Sequence, residues 1–164
     1  MHRIKDNIFV TRECLERFLD TGVPSSRISE TGDVLYKELK ERYRCMNAME
    51  QQGLDNVVWT VERRIGKTTA IVRLAVEIGI PIVAERRYIP FLKEIAKEVS
   101  PVLVDNVKIV PLEELKNRSM LDGRRFAWHT VLVDEPTKVV EVRKALDSVE
   151  KYITCHRINI LAIQ

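Results

Sequence analysis

Apolar positions along this chain switch between a helical period and short continuous runs. Leu15, Phe18 and Leu19 stand at helical spacing behind Thr11, a capping residue, and Gly22 and Pro24 close that segment. Val34, Leu35, Leu39, Tyr43 and Met46 predict a second helix, with Ser29 or Thr31 as its cap and Gly53 as its end. Then the texture changes. Asn56 to Val61 is a β-branched and aromatic run that reads as a buried strand. A helix comes next, from Lys67 to Ile78, with Ala70, Ile71, Leu74, Ala75 and Ile78 on one face and Gly79 just past its end.

Further strands are expected at Ile80 to Ala84, Val102 to Val104, Val107 to Val110, His129 to Val133 and Ile158 to Ile163. Between them Pro90 opens a helix carrying Phe91, Leu92, Ile95, Ala96 and Val99. Pro111 to Asn117 reads as a short helix and Met120 to Arg125 as a polar, basic loop. Thr137 stands where it would cap a helix bearing Val139, Val142, Leu146 and Val149. Strands alternating with helices imply an α/β fold, a mostly parallel sheet flanked by helices. Residues 1–55 read as a helical N-terminal extension or lid, and 56–164 as the core. In such sheets ligands bind beyond the carboxyl ends of the strands.

Composition narrows the class without choosing within it. The chain has 164 residues and 45% hydrophobic residues, enough for one packed core and too apolar for disorder. No apolar run approaches the ~20 residues of a membrane span. The opening residues Met1 to Asp6 lack the apolar stretch of a secretory signal. A cytoplasmic protein without membrane contact is expected. Cys14, Cys45 and Cys155 are widely separated, so neither a zinc site nor a disulfide framework is indicated. A net charge of +3 permits a polyanionic partner without requiring one.

Two motifs carry chemistry, and both fall at predicted carboxyl ends of strands. The first is Val61-Glu62-Arg63-Arg64-Ile65-Gly66-Lys67-Thr68-Thr69, which leaves a strand and opens a helix, the context of a Walker A phosphate loop. There Arg63, Arg64, Ile65, Gly66, Lys67, Thr68 and Thr69 would surround the phosphates of a nucleotide. Backbone N–H groups and the positive helix end would hold the β-phosphate. Lys67 would reach the β- and γ-phosphates, and the Thr68 hydroxyl would ligate Mg²⁺. Val61 stands in place of the motif's first glycine. The second motif is Thr130-Val131-Leu132-Val133-Asp134-Glu135, a strand ending in two carboxylates. Asp134 would hold Mg²⁺, and Glu135 would activate the attacking water. Gly-Lys-Thr also opens ordinary helices and acid pairs also end ordinary strands; the order and spacing of the two together favour the nucleotide site.

Gln164, at the end of the last strand, is the candidate γ-phosphate sensor. Arg63 is a candidate catalytic group because arginine's fixed fork suits phosphate oxygens. Arg86, Arg87, Arg124 and Arg125 are candidates for an arginine finger or for contacts with a nucleic-acid backbone. Solvated surface charge is the alternative, strongest for Arg124 and Arg125.

The segment Glu62 to Ala70 resembles the variant Walker A of viral DNA-packaging ATPases, the large terminase subunits and their relatives. Those motors often lack the first glycine and carry an arginine three places before Gly-Lys-Thr, the place of Arg63 here. Val131 to Glu135 is similar to their Walker B and catalytic glutamate. The resemblance covers about residues 56–164 and implies a P-loop NTPase core. It also implies ATP as the nucleotide, hydrolysis coupled to translocation of double-stranded DNA, and assembly into a ring with arginines reaching a neighbour's γ-phosphate. Portal or capsid proteins would be further partners, and the host cytoplasm the location. The family's nuclease domain has no counterpart here. An N-terminal fragment, a nuclease-free packaging ATPase and a distinct P-loop protein all remain open. So do an ATPase of recombination, helicase loading or repair, and a nucleotide-binding regulatory module without turnover. A small-molecule kinase is least favoured, since only Arg143 and Arg157 come after the acidic strand.

Overall fold

The computed structural model describes residues 28–60, 66–117, 129–135, 137–153 and 157–164. The helix expected at 11–19, the residues Arg63, Arg64 and Ile65, and the basic pair Arg124-Arg125 lie outside the described residues. Among the described residues five strands form one parallel sheet: β1 (Asp55–Val58), β2 (Ile82–Ala84), β3 (Ile109–Pro111), β4 (Thr130–Val133) and β5 (Asn159–Ile163). Their order across the sheet is β1-β5-β4-β2-β3. The helices are α1 (Ile28–Ala48), α2 (Lys67–Ile78), α3 (Ile89–Val99), α4 (Leu112–Lys116) and α5 (Val139–Ile153). The molecule is thus α/β, with helices on both faces of an all-parallel sheet. No helix among the described residues is long and apolar enough to cross a membrane.

Strand alternation divides the core in two. Ile82, Ala84, Leu132, Leu161 and Ile163 face α1, α2 and α3, where they meet Leu35, Leu39, Ile71, Leu74, Leu92 and Ala96. Val83, Val131, Val133, Ile160 and Ala162 face α4 and α5 and meet Leu112, Leu115, Val142, Leu146 and Val149. β4 and β5 are buried along their whole length, which is why both read as uninterrupted apolar runs. Helix α1 belongs to this packing. Its buried Arg42 donates from Nη1 to Asn56 Oδ1 at 2.6 Å and to the Val57 carbonyl at 3.3 Å, and from Nε to Glu38 at 3.0 Å. Those bonds fasten α1 to β1 and give a buried guanidinium its partners. Asn159, at the start of β5, fastens the chain before β1 in the same way. It accepts from Leu54 N–H at 2.9 Å and donates to the Gln51 carbonyl at 2.7 Å.

Two local expectations are corrected. Val102 to Val104 is not a strand: the chain turns there and enters a 3-10 turn at Val104–Asn106. Val102 is 88% exposed, so its β-branched side chain has no sheet face to pack on. Only the second run of that region joins the sheet, as β3. Thr137 does not cap α5, which begins at Val139; its hydroxyl is engaged elsewhere.

Candidate functional site

The parallel topology brings the carboxyl ends of β1, β5, β4 and β2 side by side along one edge. Gly66, just before α2, has φ 80° and ψ 26°. That left-handed conformation is natural for glycine and strained for residues with a Cβ. No side chain caps α2 at Gly66. The first helical bond runs from Ala70 N–H to the Gly66 carbonyl at 2.9 Å. The N–H groups of Lys67, Thr68 and Thr69 therefore have no intrahelical acceptor and lie at the positive end of a 12-residue helix.

The first turn of α2 meets the acid pair of β4. Lys67 Nζ and Glu135 Oε2 are 2.9 Å apart, and Thr68 Oγ1 donates to Asp134 Oδ2 at 2.7 Å. Both β5 and β4 lie between β1 and β2, so the chain passing through α2 skips two strands before it rejoins the sheet. At these strand ends, the edge where open parallel sheets bind their ligands, backbone and side-chain donors face carboxylates. Lys67 is 7% exposed and Glu135 53% exposed. The pair is therefore screened on the Glu135 side, and its stabilisation is no more than about 1 kcal/mol.

Asp134 is the more constrained acid. Its residue is buried, and Oδ1 makes no hydrogen bond. Burial pushes its carboxyl above the ordinary carboxylate range, against the Thr68 hydrogen bond, which pulls it down. An orphaned, desolvated carboxylate oxygen beside a threonine hydroxyl is a donor set suited to a hard cation. Among the described residues no three His, Cys, Asp or Glu side chains converge. A cation here would complete its shell with water and ligand oxygens, which is how magnesium is usually held.

The raised pKa carries a stability consequence. The folded chain holds the Asp134 proton more tightly than the unfolded chain. Stability is thus fully present below the ordinary carboxylate pKa and is lost as pH rises through the folded value. Asp134→Asn keeps an oxygen for Thr68 and removes the charge. Its melting temperature is expected to exceed the parent's at neutral pH. The difference shrinks as pH falls into the carboxylate range. Thermal melts across pH check this, and a less stable variant at neutral pH contradicts it.

Gln164 ends β5 between the two motifs. Its N–H donates to the Val58 carbonyl at 2.9 Å and its carbonyl accepts from Thr60 N–H at 2.9 Å, which fixes its backbone beside β1. Its side-chain Nε2 donates to the Thr137 carbonyl at 3.2 Å and to the Ile163 carbonyl at 3.0 Å. Arg86 and Arg87 form the 3-10 turn Arg86–Tyr88 after β2, at the same edge. Both are well exposed. Arg86 Nη2 lies 3.7 Å from Glu114, and Arg87 Nε lies 2.9 Å from Glu85. The structure thus gathers Gly66, Lys67, Thr68, Asp134 and Glu135 into one constellation, with Gln164 beside it and Arg86 and Arg87 one strand further along.

Sequence reasoning missed Thr137 as a member of this edge. It is 1% exposed, and it touches β2's exit and Gln164 at once. Nothing in its local sequence distinguishes it from a helix cap. Comparison of the chain with known protein families, curated proteins and solved structures found no match.

Proposed function

We propose that this chain is a P-loop ATPase domain that binds MgATP and hydrolyses it to drive translocation of double-stranded DNA, in the manner of a viral packaging motor. One observation carries the nucleotide part of this reading. A lysine and a threonine in the first turn of α2, entered through a positive-φ glycine, meet two adjacent carboxylates at the end of β4, with β5 between β4 and β1. Uncapped N–H groups and Lys67 suit the β- and γ-phosphates. Thr68 and Asp134 would hold magnesium, which neutralises phosphate charge when bound.

Phosphate binding would draw Lys67 away from Glu135. The freed carboxylate could then orient water and accept its proton. Gln164, at the adjoining strand end, is placed to sense the γ-phosphate through its amide. The arginines offer the charge such a transfer needs: Arg63 in the loop, and Arg86, Arg87, Arg124 or Arg125 in cis or from a neighbouring subunit. The DNA part of the proposal rests on the resemblance of the two motifs to packaging ATPases and on the exposed arginines at this edge. A ring of subunits, with portal or capsid proteins as partners, belongs to that same reading.

The test is magnesium-dependent ATP hydrolysis with and without double-stranded DNA. Turnover that needs magnesium and rises several-fold with DNA supports the motor. Turnover indifferent to DNA keeps the ATPase and discards translocation. Binding without turnover points to a regulatory nucleotide module, and absence of nucleotide binding overturns the proposal.

A further inference from the structure

Thr137 lies three residues past Asp134 and is buried although polar. Three hydrogen bonds converge on it. Its N–H donates to the Asp134 carbonyl at 3.0 Å, closing the turn that carries Glu135. Its hydroxyl accepts from Glu85 N–H at 3.3 Å, from the chain leaving β2. Its carbonyl accepts from Gln164 Nε2 at 3.2 Å, from the end of β5. One residue therefore ties together the carboxyl ends of three adjacent strands. A capping threonine would spend its hydroxyl on its own helix; this one spends it 52 residues away.

The tie continues past Glu85. The Glu85 carbonyl accepts from Tyr88 N–H at 2.9 Å, and its carboxylate pairs with Arg87 at 2.9 Å. The placement of the arginine turn is thus set through the same residue that receives the Thr137 contact. On the other side, an amide nitrogen has two protons to donate. Gln164 Nε2 already commits them to the Thr137 and Ile163 carbonyls. A phosphate oxygen that draws on this amide must displace one of them, and the Thr137 bond is the longer.

We propose that Thr137 is a positioning residue that couples Gln164 to the Glu135 turn and to the Arg86–Tyr88 turn, so that phosphate contact at one strand end resets the catalytic carboxylate and the arginine pair together. This inference rests on the ATPase reading above. Thr137 acts through its neighbours and touches no reacting atom.

The test uses Thr137→Val, which deletes the hydroxyl at nearly constant volume, Thr137→Ser, which retains it, and Gln164→Leu. Steady-state kcat and KM for MgATP are measured alongside thermal melts and the Lys67→Ala control. Thr137→Val is expected to lower kcat about tenfold with KM within twofold, and Thr137→Ser to restore kcat to within about twofold of the parent. The double variant Thr137→Val/Gln164→Leu is expected to be no slower than the worse single variant, the signature of one coupled unit. Glu85→Pro, read against Glu85→Ala, which loses only the Arg87 pair, gives an independent route. Glu85 already has φ −61°, which proline favours, and the substitution removes the N–H that Thr137 accepts. It should reproduce the loss in kcat even if Thr137→Val folds poorly. Unchanged kcat in Thr137→Val or Glu85→Pro, a serine variant as slow as valine, or effects that multiply in the double variant overturn the coupling while Lys67-dependent turnover leaves the ATPase intact. Turnover that survives Lys67→Ala places hydrolysis away from Lys67 and overturns this inference, which needs the phosphates at that strand edge.

Discussion

Lys67→Ala is expected to lower kcat/KM for ATP by about 10³, or about 4 kcal/mol of transition-state stabilisation. Lys67 stands in the first turn of α2 with its ammonium 2.9 Å from Glu135, where it would lie beside the phosphates of the proposed nucleotide. Removing one preorganised donor from an oxyanion site typically costs about 10²–10³, and a full charge that would face two phosphates belongs at the upper end. What gives the variant diagnostic force is its expected stability. The lysine is buried, but its partner Glu135 is half in water, so the lost ion pair was worth little. Deleting it also relieves the desolvation of a buried ammonium. Melting temperature is therefore expected to stay within about 2 °C of the parent, on the scale where 1 kcal/mol is about 2–4 °C. Calorimetric titration with ATP and a thermal melt on the same sample separate the outcomes. Activity and stability falling together would make Lys67 a structural residue and undercut the phosphate assignment.

The sequence carried the parts of this site that are local. Gly66 was legible as the glycine before a lysine and a threonine at the start of a helix, where a backbone without a Cβ lets phosphates approach; the positive φ is what the structure adds. Asp134 and Glu135 were legible because Thr130 to Val133 is an unbroken run that reads as a buried strand, and polar residues directly after such a run sit at the sheet's edge. β4 and β5 were readable for the same reason, being buried on both faces. Val102 to Val104 shows the limit: three apolar residues satisfy strand propensity, yet the neighbouring chain provides no partner there. Strand order was beyond local pattern altogether. It decides that β5 lies between β1 and β4, and hence that Glu85, Thr137 and Gln164, far apart in sequence, share one edge. Period and propensity describe one element at a time, so a residue whose importance comes from three elements meeting carries no mark of its own.

Glu135→Gln is expected to separate binding from chemistry in the opposite sense to Lys67→Ala. Turnover should fall by about 10³, because an amide can neither take the water proton nor carry the charge that draws water into line; loss of a general base alone accounts for about 10²–10⁴. Affinity for ATP should rise. Lys67 is engaged by Glu135, so a phosphate binding at Lys67 would first have to displace that carboxylate. With Glu135 half exposed the contact is worth at most about 1 kcal/mol, and removing it should tighten binding by no more than about fivefold. The glutamine also withdraws a negative charge from the place where the proposed phosphates would lie, which acts in the same direction. Since the pair is ionic, the gain should shrink as salt is raised, while the loss in turnover should not. Titrations at low and high ionic strength, paired with single-turnover hydrolysis, test both halves. Weaker binding in Glu135→Gln would mean that this carboxylate supports the nucleotide rather than competing for Lys67. Retained turnover would move the catalytic base to another residue and leave Glu135 as the counter-ion of Lys67.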